Sequence, residues 1–362
     1  MEDLRKLREE IDRIDEEILS LLNKRAGLAK EIGKIKKEKN LQIHVPERER
    51  AIFEKILRLN EERFGGLFPA QALHHIYREI ISACLSLEKP LRIAYLGPRA
   101  TFTHQAALEY FGFSAQYSPC STIRDVFLEV ESERADYGVV PVENTIEGVV
   151  NYTLDMFLES DLRISGEVVI PISLHLLSVS DSLTNIKRVY SHKLALGQCR
   201  NWLEKNLPGV QLVDTESTAK ACEIALEEEG AGAIASEVAS YTYHLRILAQ
   251  NVQDSSDNFT RFLVISKREV KPTGKDKTSL LFAVRDEPGA LYKALEAFFL
   301  KRINLTKIES RPSRKRAWDY VFFVDLEGHR EEERVREGIE ELKKRAQMVK
   351  VLGSYPKALL KE

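Results

Sequence analysis

The feature that most constrains this chain is an apolar seam near its N-terminus. Hydrophobic residues recur there at spacings of three and four, and one arginine stands among them, at Leu4, Leu7, Ile11, Ile14, Ile18, Leu21, Arg25, Leu28, Ile32 and Ile35. This pattern predicts one long α-helix whose heptad seam packs against another helix. Burying a guanidinium alone is costly, so we expect an anion beside Arg25. The alternative is that Arg25 only fixes the register of the seam.

Charge divides the chain into three regions. Residues 1–89 carry a net charge of +1, residues 90–270 carry −9 and residues 271–362 carry +6. A chain of 362 residues suits two or three domains. Proline and charge interrupt the apolar pattern at Lys89-Pro90 and again in the segment 271–277. We therefore predict domains at 1–89, 90–270 and 277–355.

Composition argues against several classes of protein. The four cysteines have no CxxC spacing and are too sparse for a disulfide framework, which favours a reducing compartment. The first twenty residues are densely charged, and no apolar window of about 18 residues occurs. We expect a cytoplasmic protein with no membrane partner. The short basic run at 311–316 is expected at a solvated hairpin turn, so no nucleic-acid partner is predicted.

No metal or cofactor is predicted. The histidines form neither an HExxH motif nor paired Cys/His spacing, and solvated or capping roles explain them better. A Rossmann GxGxxG motif is also missing from the sequence. The expected partners are therefore small molecules and other copies of this chain.

The periodicity predicts a different fold class for each region. The first region reads as all-α, with further helices at about 47–61 and 69–87. The middle region alternates strands and helices and does so twice in a similar order, which predicts two α/β lobes with a cleft between them. The third region reads strand, helix, strand, strand, helix, strand, the order of an α+β ferredoxin-like module.

Motifs in the first region resemble the all-helical chorismate mutase family. They are Leu7–Asp15, Leu22–Arg25, Glu31–Lys36, Arg48-Glu49 and Ile81–Glu88. The resemblance implies a rearrangement of chorismate to prephenate that needs no nucleophile, only restraint and stabilisation of charge on the ether oxygen. It assigns the substrate's carboxylates to arginines, the ether oxygen to a lysine and a glutamate, and the hydroxyl to a second glutamate. Residue by residue these are Arg8, Arg25 and Arg48, then Lys36 and Glu88, then Glu49.

Helix geometry adds a requirement for a second chain. Arg8 and Arg25 are 17 residues apart on one predicted helix. At about 1.5 Å per residue they are separated by roughly 25 Å, which is too far to hold one ten-carbon substrate. Arg8 must then come from another copy, so we expect a homodimer or a higher homo-oligomer.

Motifs in the middle region resemble prephenate dehydratase, which has a two-lobed, periplasmic-binding-protein-like fold. They are Gly97–Phe102, Gly138–Thr145, Ser191-His192, Gln198-Cys199, Glu216–Thr218 and Asn258–Phe262. The resemblance makes Thr260 the donor to the departing hydroxyl. Because an unperturbed threonine is a poor acid, Glu143 or Glu216 is expected to polarise it or to supply the proton through it. Predicted substrate contacts are Thr101, Phe102, Asn144, Thr145, Ser191, Gln198, Ser217, Thr218, Arg261 and Phe262.

One departure from these relatives concerns the backbone. Ala100 stands where relatives often have glycine, so we expect a backbone there without a strongly positive φ.

The third region resembles the amino-acid-binding ACT domain through Asp286–Tyr292 and Asn304–Pro312. The resemblance implies an allosteric phenylalanine site formed by Gly289, Ala290, Leu291, Asn304, Leu305, Glu309, Ser310, Arg311 and Pro312. Together the three resemblances indicate the bifunctional chorismate mutase/prephenate dehydratase family of phenylalanine biosynthesis. Two alternatives stay open, an arogenate dehydratase and a non-catalytic amino-acid-sensing protein.

Overall fold

The computed structural model describes residues 2–312 and 320–358. The chain forms two compact units, one extending to Arg92 and including Tyr110–Gln116, the other comprising Ile93–Glu109 and the chain from Tyr117 onward. Ser313–Arg316 of the predicted basic turn lie outside the described residues.

The first unit is helical, as the periodicity predicted. Its helices are α1 (Glu2–Glu38), α2 (Pro46–Phe64) and α3 (Ala70–Glu88). Helix α2 ends at Gly65, whose φ of 64° allows its N–H to reach the Glu61 carbonyl. The apolar seam of α1 is largely exposed to solvent within one chain; its exposed members are Leu4, Leu7, Ile11, Ile14, Ile18, Leu21, Leu28, Ile32 and Ile35.

The predicted two-lobed α/β region is confirmed. The first lobe is built on a sheet with the strand order β2-β1-β3-β11-β5, and β4 pairs with β3. In this sheet β1 is parallel to β3, whereas β11 runs antiparallel to both β3 and β5. Its elements are β1 (Arg92–Leu96), α4 (Phe102–Phe111), β2 (Gln116–Cys120), α5 (Ile123–Glu131), β3 (Tyr137–Asn144), β4 (Gly148–Val149), α6 (Asn151–Glu159), β5 (Arg163–Pro171) and β11 (Phe259–Ser266).

The second lobe has the strand order β10-β6-β9-β7-β8, in which β7 is parallel to β8 and β9. Small side chains such as Ala231 and Ala233 are buried on β9 and let α9 pack closely. The elements of this lobe are β6 (His175–Ser178), β7 (Arg188–His192), α7 (Lys193–Gln198), α8 (Arg200–Asn206), β8 (Gln211–Thr215), α9 (Thr218–Glu227), β9 (Ala231–Ala235), α10 (Glu237–Tyr243) and β10 (Arg246–Ala249).

The C-terminal module has the predicted βαββαβ order. Its antiparallel sheet runs β13-β14-β12-β15, so β13 is an edge strand. Helices α11 and α12 bury their apolar sides against this sheet. The elements are β12 (Asp276–Ala283), α11 (Ala290–Leu300), β13 (Leu305–Pro312), β14 (Tyr320–Glu327), α12 (Glu333–Arg345) and β15 (Met348–Pro356).

The first lobe and the C-terminal module share one hydrophobic core. Phe127 and Phe157 of the lobe belong to the same buried cluster as Phe323 and Leu352 of the module. Gly353 lies against the backbone of Ile164, where an added Cβ would meet the Ile164 carbonyl oxygen at 2.1 Å. The close approach of β15 to β5 therefore requires a glycine at 353.

Within the described ranges, the structure contains no helix with both the length and the apolar character needed to cross a membrane.

Candidate active sites and effector site

In the helical unit, the structure brings Lys36 and Glu88 together. Lys36 Nζ donates to Glu88 Oε2 over 2.8 Å and to the Ile43 carbonyl over 2.7 Å. Both side chains are largely buried where α1 meets the end of α3. Gly33 makes room for this meeting, because a Cβ there would lie 3.0 Å from Glu88. The fold of the helical unit thus places the Lys36 ammonium group and the Glu88 carboxylate side by side in a largely buried position.

Arg25 lies on the same helix and is half-buried. Its Nη1 donates to the Ile80 carbonyl over 3.4 Å, so one side of the guanidinium is held by α3. Arg8, near the beginning of α1, is exposed. Because α1 is continuous over Glu2–Glu38, Arg8 and Arg25 are separated by roughly 25 Å along the axis. The structure therefore does not bring these two arginines to one site within a single chain.

Glu49 lies in the first turn of α2 and makes ion pairs with two residues of the same unit. Its Oε1 lies 3.1 Å from His44 Nε2, and its Oε2 accepts from Arg78 Nη1 over 2.7 Å. Burial would raise the pKa of Glu49, but the charges of His44 and Arg78 outweigh it and lower that pKa to about 2. Glu49 is therefore ionised over the whole neutral range, while its neighbour Arg48 is exposed.

A cavity of about 340 Å³ opens between the two lobes of the α/β region, within the usual size of a small-molecule site. Strand ends and helix starts from both lobes form its walls. Ser217 is the N-cap of α9 and accepts from the Lys220 N–H, which fixes the 216–218 segment at the cavity. The lining residues are Leu96, Gly97, Thr101, Phe102, Thr103, Pro141, Asn144, Glu147, Val150, Ile172, Leu174, His192, Leu194, Ala195, Gln198, Glu216, Ser217, Thr218, Thr260 and Phe262.

Asn144 and Thr260 are directly opposite each other on strands β3 and β11. The Asn144 Oδ1 accepts from the backbone N–H groups of Ile146 and Glu147, each over 2.9 Å, which fixes the orientation of the amide. Asn144 Nδ2 consequently faces Thr260 and donates to its Oγ1 over 2.8 Å. For residues 2–312 and 320–358 the structure gives no acceptor to the Thr260 hydroxyl hydrogen. Thr260 is thus an acceptor toward Asn144, with its hydrogen available for a ligand in the cavity.

Further amides continue this network across the cleft. Asn144 Nδ2 also donates to Asn258 Oδ1 over 2.8 Å, and Asn258 Nδ2 donates to Gln198 Oε1 over 3.0 Å. Gln198 Nε2 in turn donates to Glu147 Oε1 over 3.3 Å. Gln198 belongs to the second lobe, so this chain of hydrogen bonds connects the two lobes through the floor of the site.

The loop 97–102 forms another wall, and it corrects the expectation for Ala100. Ala100 has a φ of 64°, in the left-handed region. Its N–H donates to His104 Nδ1 over 3.1 Å, and its carbonyl accepts from Ser236 Oγ over 3.2 Å. Burial, with a smaller contribution from the charge of Arg99, lowers the pKa of His104 to about 4. A neutral His104 is what lets Nδ1 accept this bond. Two tertiary hydrogen bonds hold the unfavourable backbone conformation.

In the C-terminal module, the predicted effector residues lie at the start of α11 and along β13. Gly289 precedes α11 with a φ of 81°, and an added Cβ would meet nothing within 4 Å. Ala290 is buried and Leu291 half-buried, while Asn304 is exposed just before β13. Along the edge strand, Leu305, Glu309 and Arg311 are half-buried and alternate with the exposed Ser310 and Pro312.

Comparison with known proteins matches each part of the chain to a family. The family models are chorismate mutase type II at residues 7–89, prephenate dehydratase at residues 93–270 and the ACT domain at residues 278–344. The bifunctional chorismate mutase/prephenate dehydratase of Aquifex aeolicus is 76% identical over 362 residues, 100% of both chains. The one from Pseudomonas aeruginosa is 43% identical over 363 residues, covering 99% of this chain and 98% of that one.

This chain belongs to the bifunctional chorismate mutase/prephenate dehydratase family. Among solved structures, prephenate dehydratase from Arthrobacter aurescens in complex with L-Phe superposes with a TM-score of 0.68 at 33% identity. The match covers 74% of this chain and 90% of that one. The family resemblance seen in the sequence is thereby confirmed.

In the dehydratase region of this family member, most of the predicted substrate residues line the cavity. They are Thr101, Phe102, Asn144, Gln198, Ser217, Thr218 and Phe262, together with the predicted catalytic residues Thr260 and Glu216. Their roles stay predictions.

Four other predicted residues are not brought to the cavity. Ser191 is fully buried and donates to the Ile234 carbonyl over 2.6 Å, and Thr145 donates to the Asp257 carbonyl over 3.0 Å. Glu143 and Arg261 are opposite each other on β3 and β11, one residue away from Asn144 and Thr260. Because successive residues of a strand point to opposite faces, this pair faces away from the cavity. The structure therefore does not bring Glu143 and Arg261 to the cavity where they were expected to polarise Thr260 and to contact substrate.

Two residues of the hydrogen-bond network that starts at Asn144 were missing from the prediction. Asn258 precedes Thr260 by two positions, so the period of two along β11 could have placed it on the same face. Glu147 follows β3 in the turn that also supplies an N–H to Asn144. No sequence pattern distinguished its carboxylate from other exposed acids.

Proposed function

We propose that this chain converts chorismate to prephenate in residues 1–89 and prephenate to phenylpyruvate in residues 90–270, under control of an ACT module at residues 277–355. The observation that carries the proposal is the Asn144–Thr260 pair, which presents a hydroxyl hydrogen to a cavity of substrate size. The two reactions are successive, because the product of the first is the substrate of the second.

In the mutase reaction the side chains bind and restrain the substrate without transferring a proton. Lys36 Nζ supports the proposed role at the ether oxygen, since it donates inside a largely buried site where charge stabilisation is strong. Glu88, Arg25, Arg48 and Glu49 complete the proposed set. Glu49 contacts His44 and Arg78 through one oxygen each, and each oxygen keeps a second lone pair that can accept from the substrate hydroxyl.

We propose that the mutase site is shared between two copies of this chain. The exposed apolar seam of α1 supports this, because an exposed apolar stripe of such length is typical of an interface. A second copy packed along the seam would bring its own Arg8 toward Arg25 and Lys36. The oligomer is accordingly a homodimer or a larger assembly.

In the dehydratase reaction, the bond from the ring to its carboxylate breaks and CO₂ leaves. The released electron pair completes the aromatic ring, and the ring hydroxyl departs with its own bonding pair. Thr260 gives that oxygen a proton, so water forms. The Asn144 amide donates to Thr260 Oγ1 and stabilises the negative charge that grows there. Glu216 is the predicted acid in the cavity that restores the proton.

Phenylalanine is the proposed effector of the ACT module. The Arthrobacter aurescens relative carries L-Phe in its structure, which supports this ligand class. The N–H groups at the start of α11 suit a carboxylate, and Glu309 suits an ammonium group. We place the protein in the cytoplasm, in keeping with its four buried thiols.

The experiment is to incubate the purified protein with chorismate and to follow prephenate and phenylpyruvate by ultraviolet absorbance. The proposal expects both products in sequence, and inhibition of the second step by phenylalanine. Arogenate offered beside prephenate separates the two dehydratase specificities. Binding of these molecules without turnover would overturn the proposal in favour of a sensor.

A further inference from the structure

Strands β3 and β11 carry two neighbouring residue pairs that face opposite sides of the sheet. Asn144 pairs with Thr260 and lines the cavity, whereas Glu143 pairs with Arg261 on the other side. The register between the strands shifts immediately afterwards, between Arg261 and Phe262. Such irregularities are common beside active sites, where they aim a side chain. We call Asn144–Thr260 the inner pair and Glu143–Arg261 the outer pair. The outer pair is adjacent in the chain to the inner pair, and so lies one peptide unit from Thr260, the proposed proton donor.

The C-terminal module holds both members of the outer pair. Lys307 Nζ of the edge strand β13 lies 2.7 Å from Glu143 Oε2. Arg261 Nη1 donates to Asp325 Oδ2 over 2.5 Å, and its Nη2 donates to the Tyr355 hydroxyl over 3.0 Å. Asp325 and Tyr355 are both fully buried. The module thus contacts both residues that flank the Asn144–Thr260 pair, Glu143 through an ion pair with β13 and Arg261 through hydrogen bonds to β14 and β15.

Two further ion pairs extend the contacts of Arg261. Its Nε donates to Glu167 Oε2 over 2.7 Å, and Glu167 also accepts from Lys277 Nζ over 2.9 Å. The dehydratase region supplies Arg261 and Glu167, and the module supplies Lys277 and Asp325, so each contributes one cation and one anion. Buried charges persist only when they are paired in good geometry. Movement of β14 or β12 away from β11 would break the Arg261–Asp325 and Lys277–Glu167 ion pairs, whereas the Arg261–Glu167 pair lies within the dehydratase region.

We propose that Glu143 and Arg261 are positioning residues through which the C-terminal module sets the Asn144–Thr260 hydrogen bond and hence the dehydratase rate. The inference rests on the proposed dehydratase function. It assigns a role to two of the four predicted residues that do not line the cavity.

The same contacts connect the predicted effector strand to the cleft. Lys307 precedes Glu309 by two positions on β13, so both side chains lie on the same face of that strand. A ligand that binds there better in another arrangement of β13 would draw Lys307 away from Glu143. In the present arrangement the Thr260 hydrogen is available to substrate. Loss of the contacts that Glu143 and Arg261 make with the module should therefore lower the dehydratase rate, as the proposed effector does.

The test compares Lys307→Met with Lys350→Met in the full-length protein. Lys350 also extends from the module to the dehydratase region, donating to the Ser160 and Phe157 carbonyls over 2.6 and 3.1 Å, but it contacts neither flank of the inner pair. The two variants remove the same charge from the same interface. Arg261→Lys is the second variant, because it keeps the charge and loses the fork that reaches Asp325 and Tyr355 together.

For Lys307→Met and Arg261→Lys we expect the dehydratase kcat to fall about tenfold or more, with KM within about threefold of wild type. Phenylalanine binding, measured by calorimetry, should be as tight as in the wild type or tighter, because the contact that the ligand has to break is already lost, and added phenylalanine should inhibit the variants less than about twofold further. Lys350→Met should keep both the rate and the inhibition. Mutase activity and the thermal unfolding profile report whether the variants are folded.

The inference is overturned if folded Lys307→Met and Arg261→Lys keep wild-type kcat and wild-type inhibition. It is also overturned if Lys350→Met loses as much rate as they do, because the effect would then belong to docking in general. Failure of the proposed function would give a different result, because the wild-type protein itself would then show no dehydratase activity.

Discussion

The helical unit and the dehydratase cleft differ in how complete their sites are within one chain. In the cleft, Asn144, Thr260, Gln198 and Glu216 line one cavity. In the helical unit, Lys36 and Glu88 meet, but Arg8 is far away along α1 and the seam beside it is exposed. The two lobes of one chain form the walls of the cleft, whereas the helical unit of one chain leaves Arg8 and the apolar seam of α1 exposed. We infer that the dehydratase site needs one copy and the mutase site two.

The largest expected effect concerns the cleft alone. Thr260→Ala removes the proposed proton donor and should lower the dehydratase kcat by roughly 10²–10⁴, the usual range for a positioned acid or base. Mutase activity should be unchanged, because the altered side chain lies in the other compact unit. Steady-state assays of both reactions on the same preparation check this. An equal loss of both activities would indicate a folding defect instead.

A change in the seam should have the opposite selectivity. Ile18 is 49% exposed in one chain and lies in the middle of the α1 seam. Ile18→Glu places a charge in the proposed interface and should lower mutase activity by about 10²-fold or more, by separating the arginines that hold the substrate. Dehydratase activity should remain within about threefold. Ile18→Leu is the matched control and should keep both activities. If Ile18→Glu has the same mutase rate as the wild type, the mutase site is not shared between two copies.

The smallest effect concerns the stability of the helical unit. Because the pKa of Glu49 is lowered from 4.5 to about 2, its ionised form stabilises the fold above pH 4.5, and this contribution is lost as pH falls toward 2. Amide exchange of α2 and α3 should show a loss of about 3 kcal/mol across that window in the wild type and a flatter profile in Glu49→Gln. Superimposable profiles would mean that the contacts with His44 and Arg78 do not stabilise the unit.

Much of the fold could be predicted from periodicity. The long α1 helix, the two α/β lobes and the βαββαβ module follow from where apolar residues recur, and that information is local. Ala100 could not be predicted in this way. Its positive φ is held by His104 and Ser236, and the hydrogen bond to Ser236 joins positions 136 residues apart in the sequence.

The sequence motif of the dehydratase site also did not predict on which face of the strand each of its residues lies. Thr260 and Arg261 are neighbours in one motif, and the resemblance placed both on the substrate. Strand alternation sends them to opposite faces, so Arg261 reaches Asp325 of the C-terminal module instead. A motif gives the identity of its residues, but the side on which each one lies depends on the strand that carries it.

The most direct test of the central difference is to mix two inactive mutases. Arg8→Ala and Arg25→Ala homodimers should each lack mutase activity and keep dehydratase activity. When equal amounts are dissociated and reassembled, about one quarter of the mutase sites should contain both arginines, so mutase activity should return to about that fraction. If heterodimers form and no mutase activity returns, the two arginines do not share a site across copies, and the proposed two-chain site is wrong.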